Sequence, residues 1–341
     1  RRRASIRKLP AGETLGSTTV ICTDKTGTLT QNQMTVQQVV VGDCVLEVGG
    51  NGYEPEGDLT LEGKRWTPDD APGVIECLLA GLLCNDSALV QKEGRWDAQG
   101  DPTEVALIVA ARKAGLEDAA ATSRLPRVDA IPFESQHQFM ATLHDDAEQG
   151  GKLVYLKGAV EVVLDRCKAA LDAGGRPLPL DRGRMQEQVA RLASAGLRVL
   201  AFARAEVPRD TQRLSVHDLP GHFTFLGLQG MMDPPRPEAM DAVAACHRAG
   251  IQVKMITGDH AGTAVAIGRQ LGLVRELPAP DRPPALTGKE LAALADESLI
   301  EVAQNVSVFA RVSPEQKLRL VEALQARGHV VAMTGDGVND G

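Results

Sequence analysis

The sequence predicts an α/β protein in which a parallel-sheet domain carries a separate, inserted α+β domain. Three observations predict it. Strand, polar turn and helix alternate at both ends of the chain, the rhythm of a parallel sheet covered on both faces. Several of those strands run into an acidic residue, Asp24, Asp259 and Asp336, and the carboxyl edge of such a sheet is where ligands bind. Between about residues 34 and 232 the rhythm is lost.

The elements follow in order. Thr18-Thr19-Val20-Ile21-Cys22-Thr23 is a β-branched run that stops at Asp24, and it reads as a strand. Glu238 to Ala249 has helical spacing between Pro237 and Gly250, with proline at the start and glycine at the stop. Ile251 to Ile256 is a second strand, followed by Thr257-Gly258-Asp259 and a helical stretch to about Leu271. Val306 to Val312 is a third strand. Ser313-Pro314-Glu315-Gln316 then supplies an N-cap, a proline at the first helical position and a capping-box glutamine. His329 to Met333 is a fourth strand, ending at Thr334-Gly335-Asp336.

The middle holds glycine-rich turns, an alternating segment at Lys152–Leu156 and a helical segment at Thr103–Ala114. Its linkers are Asn32-Gln33-Met34 and Met232-Asp233-Pro234-Pro235, the second stiffened by proline. The expected division is therefore 1–33 with 233–341 as one domain and 34–232 as the insert.

Composition excludes several classes. A net charge of -8 on 341 residues argues against a nucleic-acid-coating protein, which needs a basic surface. The basic run Arg1, Arg2, Arg3, Arg7 and Lys8 reads as a solvated tail or a juxtamembrane segment. Six scattered cysteines with no C-x-x-C pair predict neither a disulfide framework nor a zinc site, but a reducing compartment. No apolar run approaches the roughly 20 residues needed to span a bilayer, and no secretory signal is present, so the chain as it stands is expected to be soluble.

The chemistry centres on Asp24-Lys25-Thr26-Gly27-Thr28-Leu29-Thr30. A carboxylate at a strand end can attack a phosphoryl group and split a hard transfer into two steps. Gly27 allows close backbone approach, and the hydroxyls and N–H groups of the turn can donate to phosphate oxygens.

This heptapeptide resembles the phosphorylation signature of the P-type ATPases. Gly100-Asp101-Pro102-Thr103-Glu104, Pro132-Phe133-Glu134-Ser135, Lys157-Gly158-Ala159, Asp233-Pro234-Pro235-Arg236, Thr257-Gly258-Asp259 and Thr334-Gly335-Asp336-Gly337-Val338-Asn339-Asp340 resemble further family motifs in the family's order. Pro10 to Ser17 resembles the approach from the fourth membrane helix. The resemblance covers the chain from about residue 9 onward. It implies a haloacid-dehalogenase-like Rossmannoid phosphorylation domain with an inserted α+β nucleotide-binding domain.

The resemblance also implies roles. Asp24 is the phosphoryl acceptor, and Asp24, Asp336 and the carbonyl of Thr26 bind Mg²⁺, whose preferred ligands are oxygens. Lys317 neutralises charge on the transferred group. Lys25, Thr26, Gly27, Thr257, Gly258, Asp259, Asn339 and Asp340 surround the phosphate. In the insert, Phe133 stacks on adenine, against a plain reading as a core phenylalanine. Glu104 lies near the adenine amino group, Lys157 and Gly158 line the pocket, Arg198 reaches the nucleotide phosphates, and Arg236 contributes to nucleotide binding from the linker. Gln138 stands where many animal members have a lysine, which implies modest ATP affinity.

The implied activity is ATP-dependent cation transport through an aspartyl phosphate, with ATP as substrate. The transported cation, the membrane helices and the actuator domain belong to a longer parent at the cytoplasmic face of a membrane. Leu15 to Cys22 and Met231 to Glu238 lean toward the calcium-pump-like subclass. A soluble phosphatase of the haloacid dehalogenase class and a decayed nucleotide-binding module are the alternatives. Many such phosphatases carry an acid two residues after the nucleophile, where this chain has Thr26.

Overall fold

A computed structural model describes residues 16–50, 52–146, 148, 150–217, 219, 221–274 and 283–335. The chain falls into two compact units, Arg1–Asn32 with Ser194–Gly196 and Asp233–Gly341, and Gln33–Ala193 with Leu197–Met232.

The first unit opens with β1 (Val20–Asp24). Five residues, Lys25–Leu29, then form a wide turn closed by the Thr30 N–H donating to the Lys25 carbonyl at 3.0 Å.

The second unit follows. It begins with β2 (Thr35–Val41), β3 (Cys44–Val48), β4 (Leu59–Leu61) and β5 (Lys64–Arg65). Helix α1 (Pro72–Leu83), the hairpin β6 (Ala88–Lys92) and β7 (Arg95–Gln99), and helices α2 (Pro102–Lys113) and α3 (Asp118–Arg124) come next. The long meander β8 (Arg127–Glu134), β9 (Phe139–Asp146) and β10 (Gly151–Gly158) leads to α4 (Val160–Leu164), β11 (Cys167–Leu171), β12 (Pro177–Pro179) and α5 (Arg182–Ser194). Two long strands, β13 (Arg198–Val207) and β14 (Phe223–Met232), close the unit. The sheet path is β5-β4-β3-β2-β14-β13-β10-β9-β8, antiparallel throughout. Helices α1 and α2 lie against it over an apolar core that includes Val74, Leu78, Leu107, Met140, Tyr155 and Phe202.

The chain returns to the first unit with α6 (Pro237–Arg248), β15 (Gln252–Thr257) and α7 (Ala261–Gln270). After the next described residues come β16 (Leu286–Thr287), α8 (Gly288–Ala293), α9 (Asp296–Asn305) and β17 (Val308–Ala310). Helix α10 (Pro314–Ala326) and β18 (Val331–Thr334) are last. The five strands lie in the order β16-β17-β15-β1-β18 and every pairing is parallel. Its core includes Val20, Cys22, Ile256, Phe309, Leu320 and Leu324. A parallel sheet with an antiparallel-sheet unit inserted between β1 and β15 is thus the observed mixed α/β architecture.

Punctuation in the sequence sets the helices. Asp101 caps α2 by accepting from the N–H groups of Thr103 and Glu104, with Pro102 at the first position. Ser313 and Gln316 form a complete capping box at α10, as do Thr287 and Glu290 at α8. Five cysteines, Cys22, Cys44, Cys77, Cys84 and Cys167, are buried free thiols, and Cys246 is half-buried. Among the described residues no helix is long and apolar enough to cross a membrane.

Candidate active site and nucleotide pocket

Parallel pairing decides what meets at the edge of the first unit. Asp24 is in register with Ile256 on β15, and Thr23 with Thr334 on β18. The carboxyl ends of β1, β15 and β18 therefore lie at one edge of the sheet. The Asp24 carboxylate is fixed there by the Lys25 N–H, which donates to Oδ1 at 2.8 Å. Its Oδ2 lies 3.8 Å from Nζ of Lys317, with the two side chains 14% and 10% exposed. Partial burial strengthens that attraction over its value in water. The α10 capping box delivers Lys317, because it sets the first turn in which that lysine sits.

The turn after Asp24 is built to turn sharply. Gly27 has φ 73°, the left-handed region that favours glycine. Thr26 is exposed, whereas Thr257 is buried, with its Oγ1 accepting the Asp259 N–H at 3.1 Å. At Gly258 an added Cβ would meet nothing within 4 Å, so packing does not demand glycine there.

Two expected phosphate contacts stand differently. Lys25 is buried and its Nζ lies 2.8 Å from Oδ2 of Asp259 and 3.9 Å from Oδ2 of Asp233. The backbone turn sends this side chain inward, so Lys25 and Asp259 are engaged with one another. Asp233 also accepts from Thr30 Oγ1 at 2.5 Å. Arg236, expected to contribute to nucleotide binding from the linker, donates to the carbonyls of Thr30 (2.8 Å) and Gly27 (3.1 Å). It ties the second crossing segment to the turn after Asp24 within one unit. Asp233 and Thr30 both lie in quoted motifs, but neither was given a role of its own.

Asp336, Asn339 and Asp340 lie outside the described residues. Below the edge, Lys254 on β15 is fully buried, and its Nζ donates to the carbonyls of Val306 (2.9 Å) and Gln304 (3.1 Å) at the end of α9. Burial pushes its ammonium down to about 8.

The second unit gathers the other candidates. Phe133, on β8, is 55% exposed, so it is not a core residue. Glu104, in the first turn of α2, and Lys157, near the end of β10, form an ion pair at 2.5 Å. Both are largely removed from water, which makes the pair costly to break from one side. Arg198 opens β13 and donates to Thr103 Oγ1 at 3.3 Å. At Gly158, expected to line the pocket, an added Cβ would come within 2.3 Å of the Gln138 carbonyl. Its smallness serves the close approach of the β8–β9 turn. Gln138 itself has φ 57°, and its carbonyl accepts the Ala159 N–H at 2.9 Å; its described role is in that turn.

Sequence reasoning missed the clasp around Glu104. Asn85, Asp86 and Ser87 follow α1 directly and contact both ends of Glu104. Arg127, the first residue of β8, holds the same loop through Asp86 Oδ1 (2.6 Å) and the carbonyls of Leu83 (2.9 Å) and Asn85. A polar triplet straight after an apolar helix was the available signal.

The family described as P-type ATPase, cytoplasmic domain N, matches residues 73–238. The chain is 51% identical to the cation-transporting ATPase pma1 of Synechocystis sp., over all of this chain and 37% of that protein. It is 52% identical to the probable cation-transporting ATPase F of Mycobacterium tuberculosis, again over 100% of this chain and 37% of the relative. With the calcium-transporting ATPase of Bacillus subtilis it shares 41% identity, over all of this chain and 38% of that protein. The chain thus spans little more than a third of the length of these relatives, and it belongs to the P-type ATPase family.

Proposed function

We propose that this chain is the ATP-binding and phosphorylation part of a cation pump, and that Asp24 is its phosphoryl acceptor. The observation that carries the reading is the Asp24 carboxylate, which accepts the Lys25 N–H and faces the Lys317 ammonium at 3.8 Å. In the first step an Asp24 oxygen attacks the γ-phosphorus of ATP. The new O–P bond forms as the bond to the β–γ bridging oxygen breaks, and ADP leaves with that electron pair. Lys317 offsets negative charge on the equatorial oxygens. Exposed Thr26, Gly27 and the unobstructed backbone at Gly258 offer donors to the same group.

The described donors fit magnesium, since the Asp24 carboxylate and Thr26 carbonyl are hard oxygen ligands. Asp336 is the third residue that would hold it. Mg²⁺, when bound, supplies Lewis-acid stabilisation of phosphoryl charge.

Residues 1–33 with 233–341 form the haloacid-dehalogenase-like phosphorylation domain, and residues 34–232 the nucleotide-binding domain. There, exposed Phe133 stacks on adenine while Glu104, Lys157 and Arg198 frame the nucleotide. Thr26 supplies no acid to hydrolyse the acyl phosphate, which favours a phosphoenzyme durable enough for a conformational cycle. In the whole protein, at the cytoplasmic face of a membrane, that cycle drives a cation across. The names of the relatives support a cation, and two classes of name, cation and calcium, occur among them.

The test is Asp24→Asn in the full-length parent. Acid-stable label from γ-labelled ATP and Mg²⁺ is expected to vanish, with ATP binding retained. Label persisting on another residue overturns the assignment.

A further inference from the structure

The Glu104 carboxylate offers roughly four acceptor positions, and among the described residues three donors occupy them. Lys157 Nζ takes Oε1 at 2.5 Å. The Asp86 N–H and the Ser87 hydroxyl take Oε2 at 3.0 and 2.8 Å. The backbone of Glu104 is held as well, its carbonyl accepting from Asn85 Nδ2 at 2.8 Å. Asn85 in turn accepts the Ser87 N–H on Oδ1 at 2.9 Å.

Ser87 is the hinge of this arrangement. Besides donating to Glu104, its Oγ accepts the Asp101 N–H at 2.9 Å, which ties it to the residue that caps α2. Its position dictates the neighbouring glycine too. At Gly100, with φ 113°, an added Cβ would lie 2.3 Å from Ser87 Oγ and 3.0 Å from its Cα. The backbone there has closed onto the serine.

We infer that Ser87 is a positioning residue for adenine recognition, one that sets the Glu104 carboxylate so that a single acceptor position is left to meet an exocyclic amino group. This rests on the reading of Glu104 as a nucleotide contact. A carboxylate held by three donors cannot rotate to suit another base, so the arrangement selects a 6-amino purine over a 6-oxo purine. A 6-oxo group brings an acceptor against an acceptor, and mismatches of that kind are strongly rejected in preorganised sites.

The experiment measures binding of ATP and of inosine triphosphate to this chain, by calorimetry, for the unaltered protein and for Ser87→Ala, Ser87→Thr and Glu104→Gln. The unaltered chain is expected to prefer ATP, and Glu104→Gln to lose most of that preference. Ser87→Ala is expected to cut the preference about tenfold, with a melting temperature close to the parent's, and Ser87→Thr to restore it. A Ser87→Ala protein that folds and keeps the full preference, while Glu104→Gln loses it, overturns the inference alone. Should the unaltered chain show no preference, or Glu104→Gln keep it, the nucleotide reading of Glu104 fails instead. If Ser87→Ala does not fold, Ser87→Thr and Ser87→Cys decide by the same ratio: a full preference in Ser87→Cys, whose thiol is a weak donor, counts against the inference.

Discussion

Single residues at the sheet edge are held by more than their own chemistry. Arg236 spends its guanidinium on two carbonyls of the turn after Asp24, so Arg236→Ala leaves both without that donor. We expect a loss of about 1–3 kcal/mol, read as a lowered urea midpoint, together with slower phosphoenzyme formation. Buried His144 offers a test in pH. Its Nδ1–H donates to the Leu125 carbonyl at 2.9 Å, so its Nε2 accepts from Thr142 Oγ1 at 2.8 Å. Burial is the main cause that pushes its imidazole down from 6.5 to about 4. The unfolded chain therefore binds the extra proton first as pH falls. Stability is full above about 6.5 and is lost as pH drops toward 4, by up to about 3 kcal/mol. His144→Gln should flatten that acid limb in a pH series of thermal melts.

At the scale of elements, the first turn of α10 links folding to chemistry. Ser313 accepts the Gln316 N–H at 3.4 Å, and Gln316 reaches back to the Ser313 N–H at 3.0 Å and to the Gly288 carbonyl at 2.7 Å. Ser313→Ala should cost about 1 kcal/mol and loosen the turn that carries Lys317. The rate of phosphoenzyme formation should fall more than ATP affinity does, which rapid-quench and binding measurements would separate. Helices of this kind were the most legible part of the sequence, because proline, glycine and capping residues mark their ends. α6, expected over Glu238 to Ala249, is Pro237–Arg248, and the helix expected at Thr103–Ala114 is Pro102–Lys113. The stretch containing β16, α8 and α9 was not read, although Thr287-x-x-Glu290 carries the capping-box signature that opens α8. Periodicity was not enough there, since each element is short.

For the whole molecule, the mixed α/β character and the loss of rhythm in the middle could be read directly, because parallel and antiparallel sheets impose different sequence patterns. The direction of individual side chains could not. Lys25 turns inward and Gly158 serves a hairpin for reasons set by residues far away in sequence, Asp259 and Gln138. The two units each have their own core, so nucleotide binding has a specific expected signature. ATP should raise the melting temperature of the unit that contains Glu104, by linkage worth about 2.7 kcal/mol at a hundred times Kd. Asp24→Asn should leave that shift intact. A shift abolished by Asp24→Asn would place the main nucleotide contacts elsewhere.

The buried thiols allow the opening of either unit to be watched. Burial pushes Cys22 up to about 11 and Cys167 up to about 12, so both are protonated as well as shielded at neutral pH, and thiolate is the reactive form. Cys22 lies in one unit, and Cys44, Cys77, Cys84 and Cys167 lie in the other. Iodoacetamide should therefore label half-buried Cys246 first. The remaining five sulfurs form a built-in clock, in which the order of alkylation, followed by peptide mass, tells which unit opened and when.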